Sequence, residues 1–346
     1  MQLDTVDKKL LNLIQAAVPV VKRPFAVLGE KLDGVSETEV MQRIEALKSR
    51  NIIRQISAIF DTRSLGYASS LVALKSDPTR VDDIAGIISA HPGVSHNYQR
   101  NHAFNLWYTI AVAPTSKLGL ESTVQILHET SGATATRLMP TGHLFKIGVE
   151  LDVEGAATAA AKRPGAYSER NRSPGEAPLT DLEIRFVREM QWDLPTEPEP
   201  FVAIASRLGI GLEELIRLTA AMTENGRMRR FSAVLRHREV GFVANGMGVW
   251  AVAGNDDDIM KIGNQMAAFR AVTHCYLRPT YPDWPYNIFT MIHARSNAEC
   301  ADVIDQIASE TGVTEHDILY STREFKKTRV QYFTNAEAEW EAKFSS

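Results

Sequence analysis

The chain is 346 residues long, with 38 Lys and Arg against 42 Asp and Glu and a formal net charge of −4. That length implies about two domains, and 44% hydrophobic with 23% charged residues excludes a disordered, fibrous or disulfide-stapled chain. The charge balance lacks the broad positive field that draws a protein onto phosphate backbones or acidic lipid, and the two cysteines, Cys275 and Cys300, lack the CxxC spacing of a zinc site.

The opening MQLDTVDKKLLNLIQ carries acids among its apolar residues and no small-residue cleavage pattern. No uncharged apolar run reaches membrane-spanning length, so a cytoplasmic location without a membrane partner is expected. The first elements are three helices, Asp7 to Gln15, roughly Phe25 to Lys31, and Ser36 to Arg50, the last opened by Ser36 with Glu39 three residues on, a capping box. NIIRQISAIFD follows and alternates like a short wing hairpin. Next come a strand (Ser69 to Leu74), a helix (Val81 to Ala90), two strands (Val94 to Arg100, Phe104 to Ala113), a helix (Ser116 to Glu129) and a last strand (Ala135 to Glu150). That β-α-β-β-α-β order is the ferredoxin-like split βαβ unit.

The same order then recurs about 178 residues further on. LDTVDKKLLNLIQ is echoed by LTDLEIRFVREMQ, SHNYQR by THCYLR, and FNLWYTIAV by YNIFTMIHA. Copy two opens with helices at Asp181 to Gln191, Phe201 to Leu208 and Leu212 to Glu224, then GRMRRFSAVLR. Between the copies, Val153 to Pro178 is rich in Ala, Gly, Pro, Ser and Arg without apolar periodicity, which predicts a linker. The expected architecture is therefore α+β, a tandem of winged helix-turn-helix and ferredoxin-like domains: 1–60, 61–152, a linker 153–178, 179–236 and 237–346.

His96, Tyr98 and Arg100 alternate along one predicted strand, and His274, Tyr276 and Arg278 along its counterpart. Successive strand side chains point to opposite faces, so each triplet projects from one side of its sheet. A face packed on a core should be apolar, whereas a basic and aromatic one suits a cleft or subunit interface. A lone histidine is more often structural, but recurrence of the whole triplet points to a site. The hairpin loops after the triplets differ. Copy one has Asn101-His102-Ala103 before Phe104-Asn105-Leu106-Trp107, and copy two has Pro279 to Pro285 before Tyr286-Asn287-Ile288-Phe289. Two prolines flank Asp283-Trp284, as in a stiffened lid offering a flat surface to a flat ligand, while Trp107 and Phe289 suit a ligand wall or a core equally. In the last strands, aligning Phe145 with Phe325 sets His143 against Arg323, and Lys146 and Lys326 are shared. Such cations suit a polyanionic substrate, and Arg54 and Arg229 in the two wings are weaker candidates of the same kind.

No GxGxxG, P-loop, GxSxG or HExxH motif is present. A DNA-reading helix-turn-helix should offer Arg, Lys, Asn, Gln or Ser at the start of its recognition helix. Here those turns hold Ser36, Glu37, Thr38, Glu39 and Gly211, Leu212, Glu213, Glu214. Acids there favour the helix dipole and would face phosphates, so sequence-specific DNA binding is not expected, although Arg43, Lys48 and Arg50 could still touch a backbone.

A winged helix followed by a ferredoxin-like domain, with Leu65-Gly66-Tyr67 opening one copy and Val240-Gly241-Phe242 the other, resembles the Lrp/AsnC regulators. Two such units carrying H-x-Y-x-R and F/Y-N-x-W/F resemble, more narrowly, the siroheme decarboxylases in their fused two-subunit form. The resemblance covers nearly all the chain outside the linker. It implies removal of CO2 from the C12 and C18 acetates of siroheme, on the way to haem d1 or haem. His96 and His274 would be proton donors, Tyr98 and Tyr276 their relays or orienting partners, and Arg100, Arg278, Asn105, Asn287, Trp107, Trp284, His143, Lys146, Arg323, Lys326, Arg54 and Arg229 the substrate holders. No cofactor or protein-bound metal is implied, since iron enters with the substrate, although His96 or His274 could be its axial ligand. The two copies are expected to pair as a pseudo-dimer with non-equivalent halves, holding one composite cleft or two unequal ones, and the fused chain is left open to further homodimerisation. A tetrapyrrole-sensing transcription regulator and a haem carrier are the alternative readings.

Overall fold

The computed structural model describes residues 3–147, 178–235 and 244–344. The expected linker, save Pro178, and the Val240-Gly241-Phe242 motif lie outside them. Copy one runs α1 (Thr5–Ala16), α2 (Pro24–Glu30), α3 (Glu37–Ser49), β1 (Ile53–Phe60), β2 (Ala68–Lys75), a 3-10 turn, α4 (Val81–Ala90), β3 (Val94–Arg100), β4 (Leu106–Val112), α5 (Gly119–Ser131), β5 (Ala135–Met139) and β6 (His143–Ile147). Copy two runs α6 (Asp181–Met190), α7 (Pro200–Leu208), α8 (Leu212–Glu224), β7 (Met228–Leu235), β8 (Ala244–Trp250), α9 (Asp256–Ala267), β9 (Val272–Leu277), β10 (Ile288–Ala294), α10 (Asn297–Thr311), β11 (His316–Lys327) and α11 (Ala336–Glu341).

Local chemistry sets these boundaries. Asp4 caps α1 by accepting from Asp7 N at 2.7 Å, and Pro24 and Pro200 occupy the first turns of α2 and α7, where a missing N–H costs nothing. Only half of the expected capping box at α3 forms: Ser36 accepts from Glu39 N, while the Glu39 carboxylate turns to Arg43 at 2.9 Å. The complete boxes are in copy two, Thr180 with Glu183 and Asn255 with Asp258.

Two compact units result, and each mixes both copies. The first holds residues 3–67, 178–235 and 331–335, which include α1 to α3, α6 to α8, β1 and β7. The expected wing hairpins are single strands here. β1 and β7 pair antiparallel with each other about Ser57 and Ser232, because eight-residue strands without a central turn residue have no means of doubling back. Reciprocal bonds tie the copies: Val18 N donates to Phe231 O at 2.8 Å and Leu194 N to Ile56 O at 2.7 Å. Arg43 is ringed by Asp4, Asp7 and Glu39, and Lys48 bonds Asp193 at 2.8 Å. Two of the cations considered for a phosphate backbone are thus committed within the protein.

The second unit holds residues 68–147, 244–330 and 336–344. Its nine strands form one sheet in the order β5-β2-β4-β3-β11-β8-β10-β9-β6. The last strand of copy one, expected as one piece, breaks at Pro140: β5 stays on β2, while β6 crosses to pair with β9 of copy two. β11 does the reverse without a break, pairing β8 through Tyr320 and then β3 from Ser321. The copies therefore exchange their terminal strands. Gly263 in α9 lets the exchanged β6 dock closely, since an added Cβ would stand 2.2 Å from Phe145 Cζ. Helices cover one face of each half-sheet over separate apolar clusters. On the helix-free faces Ala73, Trp107 and Met139 of copy one pack with Met247, Val249, Trp284, Phe289 and Leu319 of copy two. The last residues add a clamp, in which Glu337 accepts from Ala113 N at 3.0 Å and Glu341 from Lys117 N at 3.2 Å.

Candidate active site

The triplet strands β3 and β9 each put their polar set on the helix-free face. Between the triplet residues, Asn97 turns the other way and donates to Ala85 O and Ser89 Oγ of α4. Cys275 likewise faces α9, 3.7 Å from Gly263 O, and burial pushes its thiol above the usual range, which removes it as a nucleophile. The geometry on the polar side is duplicated. The His96 and Tyr98 rings stack with centroids 6.1 Å apart, as do those of His274 and Tyr276. Each imidazole Nδ1 meets the hydroxyl of the preceding residue at 3.0 Å, Ser95 in one copy and Thr273 in the other. Fixing Nδ1 in this way directs Nε2 as the atom for proton exchange with a ligand.

The arginines close the pattern. Arg100 Nη1 donates to Leu319 O of copy two at 2.6 Å, and Arg278 Nη1 to Met139 O of copy one. Burial pulls the Arg100 guanidinium down to about 10, still protonated at neutral pH, and its Nε meets no hydrogen-bond partner among the described residues. Arg278 lies over the Tyr276 ring at 4.6 Å. Strand exchange makes each site composite: β3 lies between β4 of its own copy and β11 of the other, and β9 between β10 and β6.

The neighbours are unequal. Tyr98 stands opposite Trp107 and Glu324, whereas Tyr276 stands opposite Phe289 and Leu144. His96 has Thr109 within 3.4 Å of Nδ1. In copy two a further histidine, His293, reaches Thr273 Oγ1 through its own Nδ1 at 3.0 Å.

Several expected substrate contacts have other roles. Trp284 is not a lid: it is fully buried, tilted against Trp107 at 5.1 Å and Phe289 at 6.0 Å. Its loop is pinned by Arg137, which forks onto Asp283 at 2.8 and 2.9 Å, and by Tyr281 Oη donating to Leu138 O. Trp107 is buried in the same core and donates Nε1 to Phe104 O at 2.7 Å. Asn105 and Asn287 are backbone clamps: Asn105 accepts from Ser76 N and donates to Ser76 O, and Asn287 does the same with Val252. Lys326 donates to Ser89 O and His91 O at the end of α4, and Lys146 to Phe269 O just beyond α9, so both satisfy helix C-terminal carbonyls on the covered side of the sheet. Arg323 stacks over Phe325 at 4.6 Å and pairs with Asp82; His143 packs on Phe145 at 4.7 Å. Both phenylalanines belong to helix-side clusters. Arg54 and Arg229 are in the other unit, where Arg229 pairs with Asp61 at 2.7 Å.

Ser95, Thr273, Glu324 and His293 were not anticipated. The first two had a signal, since SHNYQR and THCYLR both open on a hydroxyl residue. His293 had one only as a difference, with Ala111 in its place in copy one.

Fold and site together define a tandem of two Lrp/AsnC-type units with strand-exchanged ligand-binding domains. The family model of the AsnC-like ligand binding domain matches residues 64–146 and 239–326, and that of the siroheme decarboxylase NirDL-like HTH domain matches 7–54 and 183–229. The chain is 39% identical to the siroheme decarboxylase of Hydrogenobacter thermophilus, over 96% of each chain. It is also 42% identical to the siroheme decarboxylase beta subunit of Methanosarcina barkeri, over 44% of this chain and 99% of that subunit. The crystal structure of the siroheme decarboxylase NirDL in co-complex with an iron-uroporphyrin III analogue superposes with a TM-score of 0.78 at 34% identity, covering 98% of both chains. The chain belongs to the siroheme decarboxylase family.

Proposed function

We propose that the protein removes CO2 from the C12 and C18 acetate side chains of siroheme, leaving methyl groups. The observation that carries this is the duplicated His-Tyr-Arg strand bordered in each copy by the other copy's terminal strand. Loss of CO2 leaves electron density that the iron macrocycle can absorb, and the acetate carbon must then take a proton. His96 and His274, oriented through Nδ1 by Ser95 and Thr273, are the donors, with Tyr98 and Tyr276 stacked beside them as orienting partners. Arg100 and Arg278 bond the other copy's backbone through Nη1, at Leu319 O and Met139 O, and set positive charge at one end of each triplet, where it favours the non-reacting carboxylates. In this reading no organic cofactor is needed, because the substrate is its own electron sink, and no metal beyond the substrate iron.

The product leads toward haem d1 or haem, and the fused form tilts the assignment toward haem d1. The regulator reading is not favoured: the recognition-helix turns of α3 and α8 are acidic, and Arg43 is enclosed by carboxylates. Among the described residues no helix is long and apolar enough to cross a membrane.

The test is anaerobic incubation with siroheme, following the tetrapyrrole by mass. Loss of one and then two CO2 supports the proposal; tight binding with no mass change overturns it in favour of a carrier or sensor.

A further inference from the structure

In copy two, three side chains form a chain of contacts that copy one lacks. Thr273 Oγ1 lies 3.0 Å from His274 Nδ1, 3.0 Å from His293 Nδ1 and 3.2 Å from Met291 O. A hydroxyl carries one proton and two lone pairs, so Thr273 either donates to Met291 O while both imidazoles donate to it, or donates to one imidazole while the other donates to it. In the second arrangement the tautomers of the two rings are coupled through Thr273. His293 is half-buried on β10 opposite Asn245 of β8, whose Oδ1 is buried without a hydrogen-bond partner among the described residues. In copy one, Ser95 contacts Thr109 Oγ1 at 2.8 Å and His96 Nδ1 at 3.0 Å, and Ala111 stands in the place of His293.

We propose that His293 is a positioning residue and proton reserve for His274, acting through Thr273 Oγ1; this deepens the decarboxylase reading above and rests on it. When the C–CO2 bond of the bound acetate breaks, its electron pair ends in a new C–H bond, with the proton from His274 Nε2. Thr273 passes its hydroxyl proton to His274 Nδ1 and takes one from His293 Nδ1. The His293 imidazolium becomes neutral, His274 exchanges one neutral tautomer for the other, and CO2 leaves. In copy one the contacts at His96 Nδ1 are the hydroxyls of Ser95 and Thr109, and there His96 itself enters the step as imidazolium. The two acetates are thus decarboxylated with different proton supplies.

The experiment is single-turnover mass analysis of siroheme with full-length His274→Ala, His293→Ala, His293→Asn, Thr273→Val and Thr273→Ser, beside absorbance titration of siroheme binding. His274→Ala identifies the CO2 loss that depends on copy two. His293→Ala, His293→Asn and Thr273→Val should slow that same loss about tenfold or more, with siroheme affinity unchanged and the other CO2 loss intact as an internal control of folding. Thr273→Ser, which restores the hydroxyl found at Ser95, should keep the wild-type rate. A wild-type rate in His293→Asn would reduce His293 to a hydrogen-bonding prop, and an effect confined to affinity would make it a binding residue; either overturns the proposal. Two CO2 losses by wild type that His274→Ala leaves intact would overturn this inference alone, whereas no CO2 loss by wild type would overturn the decarboxylase reading itself.

Discussion

The strands β3 and β9 carry the same histidine, tyrosine and arginine in the same geometry, yet they are bordered by different residues. Tyr98 faces Glu324 across β11, while Tyr276 faces Leu144 across β6. His96 is backed by hydroxyls, and His274 by a hydroxyl that leads to a second imidazole. The scaffold beneath is conserved between copies in detail: paired asparagine clamps, paired lysines on helix ends and paired arginines bonded to the other copy's backbone. Divergence lies in the residues that border the triplets, both within a copy, at Trp107 against Phe289 and Ala111 against His293, and across the exchange, at Glu324 against Leu144. Strand exchange accounts for the last pair, because it lets one half change its partner's site without disturbing its own core.

The largest expected effect comes from removing a triplet histidine. His274→Ala should slow one CO2 loss by at least about 100-fold, the lower range for a positioned general acid, and the mono-decarboxylated tetrapyrrole should accumulate. His96→Ala should slow the other. If both variants stall at the same intermediate by mass and chromatography, the two triplets serve a single reaction centre and the comparison collapses to one site.

Trp284 carries the asymmetry of the two copies into the packing. It comes from the longer loop of copy two but is buried against Trp107 of copy one and Phe289 of its own copy. Trp284→Ala should cost about 3–5 kcal/mol of stability, as for other buried aromatic truncations. Urea denaturation measures this. A cost below about 1 kcal/mol would mean that the loop behaves as an exposed lid after all.

Much of this arrangement was legible in the sequence, and the rest was hidden for physical reasons. Helix periodicity, caps and the repeat lay in local patterns, and the triplets stood out because polar side chains at alternate positions contradict a core-facing strand. Strand exchange was not legible: Ala135 to Glu150 reads as one strand, and only tertiary pairing shows that Pro140 divides it between two sheet edges. Lys146 and Lys326 went astray for a subtler reason. Register shifts at Leu144/Lys146 and Glu324/Lys326 break the alternation of faces, and both lysines turn with the neighbouring phenylalanine onto the helix side. Aromatic residues in a proline-rich loop read as surface features, yet Trp284 found a core that only the two copies together create.

His91 and Phe269 occupy equivalent places after α4 and α9, and both carbonyls accept from the exchanged strand's lysine. His91 is buried against Trp340 with ring centroids 4.4 Å apart. Burial, with a contribution from Lys326, lowers its pKa from 6.5 to about 4. Since the folded value lies below the unfolded one, the unfolded chain binds the proton first as pH falls. Stability at this position is complete above pH 6.5 and should be lost progressively toward pH 4, by about 3 kcal/mol at most. His91→Phe, which copies the residue of copy two, should flatten this part of the pH–stability curve in denaturant titrations between pH 7 and 4.5. An unchanged slope would show that other groups govern acid sensitivity in the copy-one half.

The smallest effect should come from Glu324, the exposed carboxylate opposite Tyr98. A tetrapyrrole with eight carboxylates bound at this face would meet like charge there and an apolar Leu144 at the equivalent place in copy two. Exposed charges interact weakly and are screened by salt, so Glu324→Gln should strengthen siroheme binding only a few-fold, at low ionic strength, and the gain should fade by about 0.5 M salt. The CO2 loss that depends on His96 should speed up and the one that depends on His274 should not. Equal effects on both would mean that Glu324 acts through the overall field of the protein, which the two sites share. An effect on one alone would show that the exchanged strand tunes the copy it borders, as the unequal surroundings of β3 and β9 require.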